Sequence, residues 1–175
     1  MAKIAEKINR FNAYVDTTSA SNKLAGITEE VTLPDFKEMS ESLNLAGMGG
    51  EIDSPTVGNF ESAQIEIPFS NISSEMFRLV TDDSKPLILR SAQEELDTAT
   101  LKKDFIGRVI TVKGMTKEVD YGKLKKGGYG EPKIVKEIVY YKDEHNGKVI
   151  TEIDKFNNVY IVNGVDKMKD ISKLI

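Results

Sequence analysis

Apolar and polar residues alternate in short runs along most of this chain, and a two-residue period is typical of β-strands. The clearest run, over residues 61–69, places four apolar residues at every second position and predicts a half-buried strand. A run rich in branched residues over 105–115 predicts a longer strand, and 86–92 predicts another. The pattern therefore indicates a mainly β protein.

Asn-Gly pairs mark turns near the carboxyl end. Asn146-Gly147 favours a type I′ turn and predicts a hairpin between strands over 134–141 and 148–154. A last strand, over 159–162, is followed by a second Asn-Gly pair. These strands follow one another closely, so we expect them to be antiparallel neighbours.

One segment has a helical pattern. Ser73 is placed to cap the first turn, and Glu75 puts a favourable negative charge there. Met76, Phe77, Leu79 and Val80 give the helix that follows one apolar side. We expect this to be the one substantial helix, packed against a sheet.

The amino-terminal region is predicted to contain an arm and a short strand. Apolar residues at helical spacing in a short, interrupted stretch predict an arm over 1–12 that docks onto another surface. A short strand is predicted over 29–33, ended by Pro34, because proline has no amide hydrogen to donate to a ladder.

Together these elements predict one domain over residues 1–175, with about seven strands and a single helix. The fold class is mainly β: an antiparallel β-sandwich or barrel with one flanking α-helix and long loops. A chain of this length has enough residues for one core rather than two.

Two glycine-rich segments, 46–53 and 116–133, are predicted to be extended loops. Dense glycine indicates backbone with positive φ or the close approach of a neighbouring chain. Long loops in compact domains are usually functional or disordered, so both are candidate contact segments. With one aromatic residue of the arm, the candidate inter-subunit contacts are Phe11, Gly47, Gly49, Gly50, Tyr121, Gly127, Gly128 and Tyr129.

Composition narrows the possible functions. The chain has no cysteine and no tryptophan, which rules out disulfides and thiolate metal sites. With 24 basic and 28 acidic residues, its formal net charge is −4, the wrong sign for gripping phosphates. No apolar run approaches the length of a membrane span or a signal peptide, so we expect neither.

No residue pattern predicts catalysis. The glycines and lysines of 122–130 lack the spacing of a phosphate-binding loop. His145 is the only histidine and cannot form a zinc site alone. Adjacent acids such as Asp82 and Asp83 point to opposite sides of an extended chain. We therefore expect no catalytic, cofactor-binding or metal-binding residues.

Several short segments, in this order and at this spacing, resemble the tail tube proteins of contractile-tailed phages, the P2-like family. The resemblance extends over nearly the whole chain, including the long stretch 24–50. The matching segments are 11–14 (FNAY), 30–34 (EVTLP), 47–50 (GMGG), 116–120 (TKEVD), 151–154 (TEID) and 162–166 (VNGVD).

The resemblance implies a structural subunit that assembles into stacked hexameric rings, with one sheet of each subunit contributing to a continuous inner barrel. It implies a virion tail component assembled in the bacterial cytoplasm. The implied partners are further copies of the chain and the tail sheath, tape measure, baseplate and tail terminator proteins. DNA is expected to pass through without specific binding, and the loops and termini to bridge stacked rings.

Two alternatives stay open at this point. A tube protein of the type VI secretion kind would share the architecture, and a tail-derived injection particle would use the same subunit. A monomeric β-sandwich that binds a ligand belongs to a different class and predicts a concave aromatic platform. Which strand face lines the lumen depends on register.

Overall fold

The computed structural model of the protein describes residues 3–175, so Met1 and Ala2 of the predicted arm lie outside the described residues. Within this range the chain forms ten strands, two α-helices and a 3-10 turn at Ala20–Asn22. The helices are α1 (Ser74–Thr81) and α2 (Lys169–Ser172). The strands are β1 (Lys3–Val15), β2 (Glu38–Leu43), β3 (Ile52–Phe60), β4 (Gln64–Pro68), β5 (Leu87–Asp97), β6 (Lys103–Asp120), β7 (Lys133–His145), β8 (Lys148–Asp154), β9 (Val159–Val162) and β10 (Val165–Asp166).

Eight of the strands form one antiparallel main sheet in the order β1-β5-β6-β7-β8-β9-β10, with β4 paired to the first half of β7. β2 and β3 form a separate two-stranded hairpin. The predicted mainly β, antiparallel fold with one substantial helix is confirmed.

The core lies on one face of the main sheet. Ile65 and Ile67 of β4 and Ile134 of β7 are completely buried there, as the alternation predicted. α1 covers this face with Met76 and Leu79. Full burial of a side chain of this size contributes about 1.5–3 kcal/mol, so this layer dominates the stability of the fold.

Local signals positioned two elements correctly. Ser73 caps α1, since its hydroxyl accepts a hydrogen bond from the Met76 amide at 3.3 Å. Glu75 forms an ion pair with Arg78 at 2.8 Å in the first turns. Asn146 and Gly147 have φ of 49° and 78°, as the predicted turn between β7 and β8 requires.

The amino-terminal segment differs from its prediction. Residues 3–12 belong to β1, which pairs with β5. Register shifts occur between Ala5 and Ile8 and between Ile8 and Arg10. These bulges add residues to β1, so Ile8 and Phe11, three apart in sequence, pair with Gln93 and Ser91 and share a face that regular alternation would not give them. That is why the spacing looked helical.

The predicted strand over 29–33 is wrong. The segment forms no ladder, although Val31, Leu33 and Phe36 pack against the core. The segment covers part of the core, and its side chains hold it there rather than backbone hydrogen bonds of a ladder. Alternation alone cannot distinguish such a cover from a strand.

The two glycine-rich loops have different bounds from those predicted, and the second is also shorter. β3 begins at Ile52, so the hairpin tip comprises residues 44–51 rather than 46–53. β6 continues to Asp120 and β7 begins at Lys133, which leaves a connection over 121–132 rather than 116–133. β3 was missed because Pro55 and Gly58 within it are unusual in strands.

Candidate assembly surfaces

β1 leaves one edge of the main sheet open. One side of β1 pairs with β5. On the other side, contacts occur only at its end, where the Leu24 amide donates to the Ala13 carbonyl at 2.8 Å and Tyr14 bridges Lys23. In the part of the chain that the structure describes, no strand lies beside residues 3–12 on this edge. Unpaired backbone groups of this kind can accept a strand of another chain.

A groove of about 720 Å³ lies along this edge, between residues 9–13 of β1 and residues 23–29. Phe11, a predicted contact residue, is half-buried in its wall and pairs across the ladder with Ser91. The groove gives the open edge a second wall, so an incoming segment would be contacted on two sides.

Charged side chains form ion pairs along the open edge of β1. Lys3 forms an ion pair with Asp104 at 2.6 Å. Lys103 contacts Glu6 at 3.0 Å and Glu94 at 2.8 Å, and its hydrogen bond lowers the pKa of Glu94. Charged side chains and bulges restrict which partner can pair with an edge strand. We therefore expect the β1 edge to pair with particular strands and not with any exposed strand.

The β2–β3 hairpin has two unlike faces. Ser40, Asp53 and Pro55 share one face and line a groove against β8 and β9. Because successive residues of a strand point to opposite faces, the other face is directed away from the body of the protein. We call it the hairpin outer face, and it carries Met39, Glu41, Leu43, Ile52 and Ser54. Its apolar side chains are 41–55% exposed.

Aromatic side chains hold the base of the hairpin. The Phe60 ring lies 4.9 Å from the Tyr160 ring and 6.0 Å from the Phe36 ring, both nearly edge to face. Phe36 in turn lies 5.0 Å from Tyr141, which belongs to the core. The hairpin is thus fastened to the main sheet at its base and free along its length.

The carboxyl-terminal tail fastens the same base. Gly58 has φ of +76°, and an added Cβ would lie 2.3 Å from the sulfur of Met168. Met168 is buried, and its amide donates to Asp166 Oδ1 at 2.9 Å. A side chain at Gly58 would occupy the place of the methionine. The left-handed φ favours glycine here, and any larger residue would also displace the methionine side chain.

The hairpin tip contains three predicted contact residues. Gly47 has φ of +94°, in a turn closed by a 3.0 Å hydrogen bond from Met48 N to Leu45 O. A Cβ added at Gly47, Gly49 or Gly50 would meet no atom within 4 Å. The chain itself does not crowd these glycines, and their contact with a second subunit stays a prediction.

Backbone contacts fix the base of the 121–132 loop. Gly122 has φ of +65°, and an added Cβ would lie 2.1 Å from the Gly130 carbonyl oxygen. Lys123 N donates to that same oxygen at 2.8 Å. Gly130 N donates to Ser70 O and to Asn71 Oδ1. These hydrogen bonds fix the backbone conformation at the base of the loop.

The outer part of this loop is basic and exposed. Lys123 forms an ion pair with Glu131, and Leu124 is wholly exposed. The predicted contact residues lie here: Tyr121 has its ring 6.2 Å from the Phe77 ring, Tyr129 is exposed, Gly127 has φ of +71° and Gly128 packs on the Lys125 side chain. The two tyrosines do not stack on each other as a binding platform would require.

The main sheet has a second face that no core covers, which we call the open face. A row of cross-strand neighbours on it runs over six strands, all half-buried: Tyr14, Ile88, Thr111, Lys142, Glu152 and Ile161. A polar contact joins β7 to β8 on this face, where the Tyr140 hydroxyl donates a hydrogen bond to Glu152 at 2.9 Å. Burial and this hydrogen bond raise the pKa of Tyr140, so it remains a neutral donor.

The acidic side chains and the single histidine were also compared with the requirements of a metal site. Among residues 3–175, no three His, Asp or Glu side chains gather closely enough to hold a metal ion. His145 lies 3.5 Å from Asp143, whose carboxylate is already bound by Arg108 at 2.7 Å. Neither described helix has the length and apolar character of a membrane-spanning one.

The structure places the predicted contact residues at three separate positions: the β1 edge, the hairpin tip and the 121–132 loop. Sequence reasoning missed the hairpin outer face. Met39, Glu41 and Leu43 lie there at alternate positions of β2, but only two of the three are apolar, so the pattern gave no strand prediction.

Comparison with known proteins gives a consistent result. The family model for phage tail tube protein FII matches residues 5–175. A curated relative, the tail tube protein of Escherichia phage P2, is 26% identical over 150 residues, which cover 82% of this chain and 84% of the relative.

Proposed function

Because this chain belongs to the phage tail tube protein FII family, we propose that its copies close into hexameric rings that stack into the inner tube of a contractile tail. The chain is a structural subunit of the virion tail, not an enzyme. The observation that carries this proposal is the open edge of β1 with its groove. Pairing that edge with a second copy would satisfy backbone groups that water alone satisfies in the free subunit.

The two ends of the main sheet differ, which favours head-to-tail contacts. One end is β1 with 13 residues, and the other is β10 with two. Unlike edges join by heterologous contacts, and these close into a ring when the rotation between copies is a simple fraction of a turn. Stacking of such rings then gives a tube.

We assign the lining of the channel to the open face. Lys142 on this face is paired with Glu144 at 3.1 Å, and Lys113 lies 6.0 Å from the Tyr140 ring. Arg10 and Arg90 have no ion pair within residues 3–175. The face therefore carries paired and unpaired bases together with acids such as Glu152, and this mixed charge should hold a sliding polyanion less tightly than a uniformly basic lining would.

The remaining partners belong to the same assembly. The tail sheath assembles on the outside of the tube, and the tape measure, baseplate and tail terminator proteins complete the tail. DNA passes through the channel without sequence-specific contacts. Phe11 is the predicted contact residue assigned to the ring interface, because it lines the groove at the β1 edge.

Sedimentation velocity and negative-stain microscopy over a range of concentrations test the proposal. We expect rings or tubes with an open lumen. Protein that stays monomeric at the highest concentration, without hollow particles, would overturn it and favour the monomeric binding module instead.

A thiol-labelling experiment locates the ring interface. Because the chain has no cysteine, Lys7→Cys on β1 carries a single thiol. We expect maleimide to react much more slowly with assembled than with free Lys7→Cys protein. The matched variant Ala99→Cys, in the turn between β5 and β6, should change less. Equal protection of both thiols would contradict the assignment of the edge.

A further inference from the structure

The two segments that project from the body have opposite charge. Residues 38–60, which form the hairpin, contain four carboxylates and neither Lys nor Arg. Residues 121–132 contain three lysines and only one acid, Glu131. Such separation within a chain of modest net charge makes each segment electrostatically distinct from the rest of the surface.

Both segments also present apolar side chains to solvent. On the hairpin outer face, Met39 is 54% exposed and Ile52 is 55% exposed. On the loop, Leu124 is fully exposed, and Tyr121 and Tyr129 are largely so. Exposed apolar groups beside complementary charge are the composition of a protein–protein contact, with charge setting orientation and apolar burial adding affinity.

The two segments lie at opposite ends of β4. Phe60 ends the hairpin a few residues before β4 begins at Gln64. At the other end of the strand, Phe69 N donates to Pro132 O, the last residue of the loop, at 2.8 Å. Five residues of strand separate the attachment points by about 17 Å.

No hydrogen bond or ion pair joins the hairpin to the loop within residues 3–175. Lys125 and Lys126 have no ion pair in this range, and neither does Glu41. Glu51 accepts a hydrogen bond from the Ser42 hydroxyl but has no basic partner in the described range, so Glu41, Glu51, Lys125 and Lys126 keep their charges available for a partner outside their own chain.

We propose that the hairpin of one copy docks onto the 121–132 loop of a second copy, with Glu41 and Glu51 facing Lys125 and Lys126. This contact rests on the proposed function, since it requires self-assembly, and it specifies which surfaces of two tube subunits meet. A contact between different surfaces at two ends of the molecule is heterologous, so each added copy exposes the same free end. Exposed ion pairs also make the contact salt-sensitive.

Reversing the charges tests the contact. The hairpin variant is Glu41→Lys/Glu51→Lys, and the loop variant is Lys125→Glu/Lys126→Glu. In either variant alone, residues 41 and 51 carry the same sign of charge as residues 125 and 126, so the facing side chains repel. At low salt we expect the amount of sedimenting tube to fall by about tenfold or more in each.

Mixing the two variants is the decisive step. The lysines introduced at 41 and 51 of the hairpin variant then meet the glutamates introduced at 125 and 126 of the loop variant. Conversely, the acidic hairpin of the loop variant meets the basic loop of the hairpin variant. We expect the equimolar mixture to recover wild-type assembly, as alternating copies. Recovery also shows that both variants are folded. The matched control Lys102→Glu/Lys169→Glu changes net charge as the loop variant does, and should assemble normally.

Several results would overturn the contact. Wild-type assembly by either variant alone, or failure of the mixture while the control assembles, would exclude it. Loss of assembly by the control would show a general charge effect and would equally contradict it. Wild-type protein that stays monomeric would refute the proposed function itself, whereas normal wild-type tubes with unaffected variants would refute this contact alone.

Discussion

The β2–β3 hairpin and the main sheet are both antiparallel β-structure, but they are stabilised in different ways. Residues of β4 such as Ile65, Ile67 and the adjoining Phe69 are completely buried. No residue between 38 and 60 is buried. A two-stranded hairpin without a core is marginally stable in water, so this one depends on its attachment at the base.

This difference separates folding from assembly. The main sheet supplies the free energy of folding through its core, with α1 as a cover. The hairpin contributes little to that core and instead holds an apolar, acidic surface away from the body. Substitutions in the core of the main sheet should therefore change the stability of the subunit, whereas those on the hairpin outer face should change assembly.

Phe69→Ala should cause the largest loss of stability. The ring is 0% exposed, and removing a buried phenylalanine costs about 3–5 kcal/mol because burial is lost and a cavity remains. Urea unfolding of the free subunit measures the change. The matched variant Phe105→Ala removes a ring that is 63% exposed and should cost under about 0.5 kcal/mol. Similar losses in both would contradict the position of the core.

Asp83→Asn should have the next largest effect. Lys136 is buried on the core face, and its ammonium contacts Asp83 at 2.7 Å. Thr116 donates to the same carboxylate through its amide and hydroxyl. Loss of the carboxylate leaves a buried charge without its partner, which costs about 2 kcal/mol at this partly exposed site. Asp82→Asn, whose side chain caps only Ser84, is the control and should be nearly neutral.

The same site predicts a pH dependence. Burial opposes ionisation of Asp83, but hydrogen bonds from Lys136 and Thr116 outweigh it and lower the pKa from 3.8 to about 2. Because the native pKa lies below the unfolded one, the stabilisation is present above pH 3.8 and is lost as pH falls towards 2. The stability difference between wild type and Asp83→Asn should therefore shrink on acidification over this range. A constant difference would contradict the pairing.

Gly58→Ala tests the junction between the two regions. The φ of +76° strains any side chain, and Met168 must move to make room, for a cost of about 1–2 kcal/mol. We also expect faster proteolysis within 38–60, because the hairpin base loosens. Gly49→Ala adds the same methyl group in open space and should leave stability and cleavage unchanged.

Leu43→Ser/Ile52→Ser should change stability least. Both side chains are largely exposed on the hairpin outer face, so the free energy of unfolding of the free subunit should shift by less than about 0.5 kcal/mol. Assembly should nevertheless be lost, as sedimentation would show. A large loss of subunit stability, or tubes formed as by wild type, would remove the distinction between the two regions.

The sequence was informative wherever local chemistry decides structure. The alternation of β4, the Ser73 cap and the Asn146-Gly147 turn each depend on a few adjacent residues, and all three are confirmed. The resemblance of short segments to tail tube proteins is also confirmed, by the match over residues 5–175.

Other features depend on distant contacts and were not predictable. Bulges made β1 look helical, since their position is set by pairing with β5. The segment over 29–33 looked like a strand, because covering a core and pairing in a sheet require similar side chains. The hairpin outer face emerged only once the register of Leu43 with Ile52 was known.

Cryo-electron microscopy of the assembled particle would show directly whether copies join through the β1 edge. We expect a hollow tube built of identical copies, with the β1 edge of each copy against its neighbour and the open face of the main sheet towards the bore. A reconstruction with the β1 edge in contact with solvent, or without a continuous channel, would contradict it.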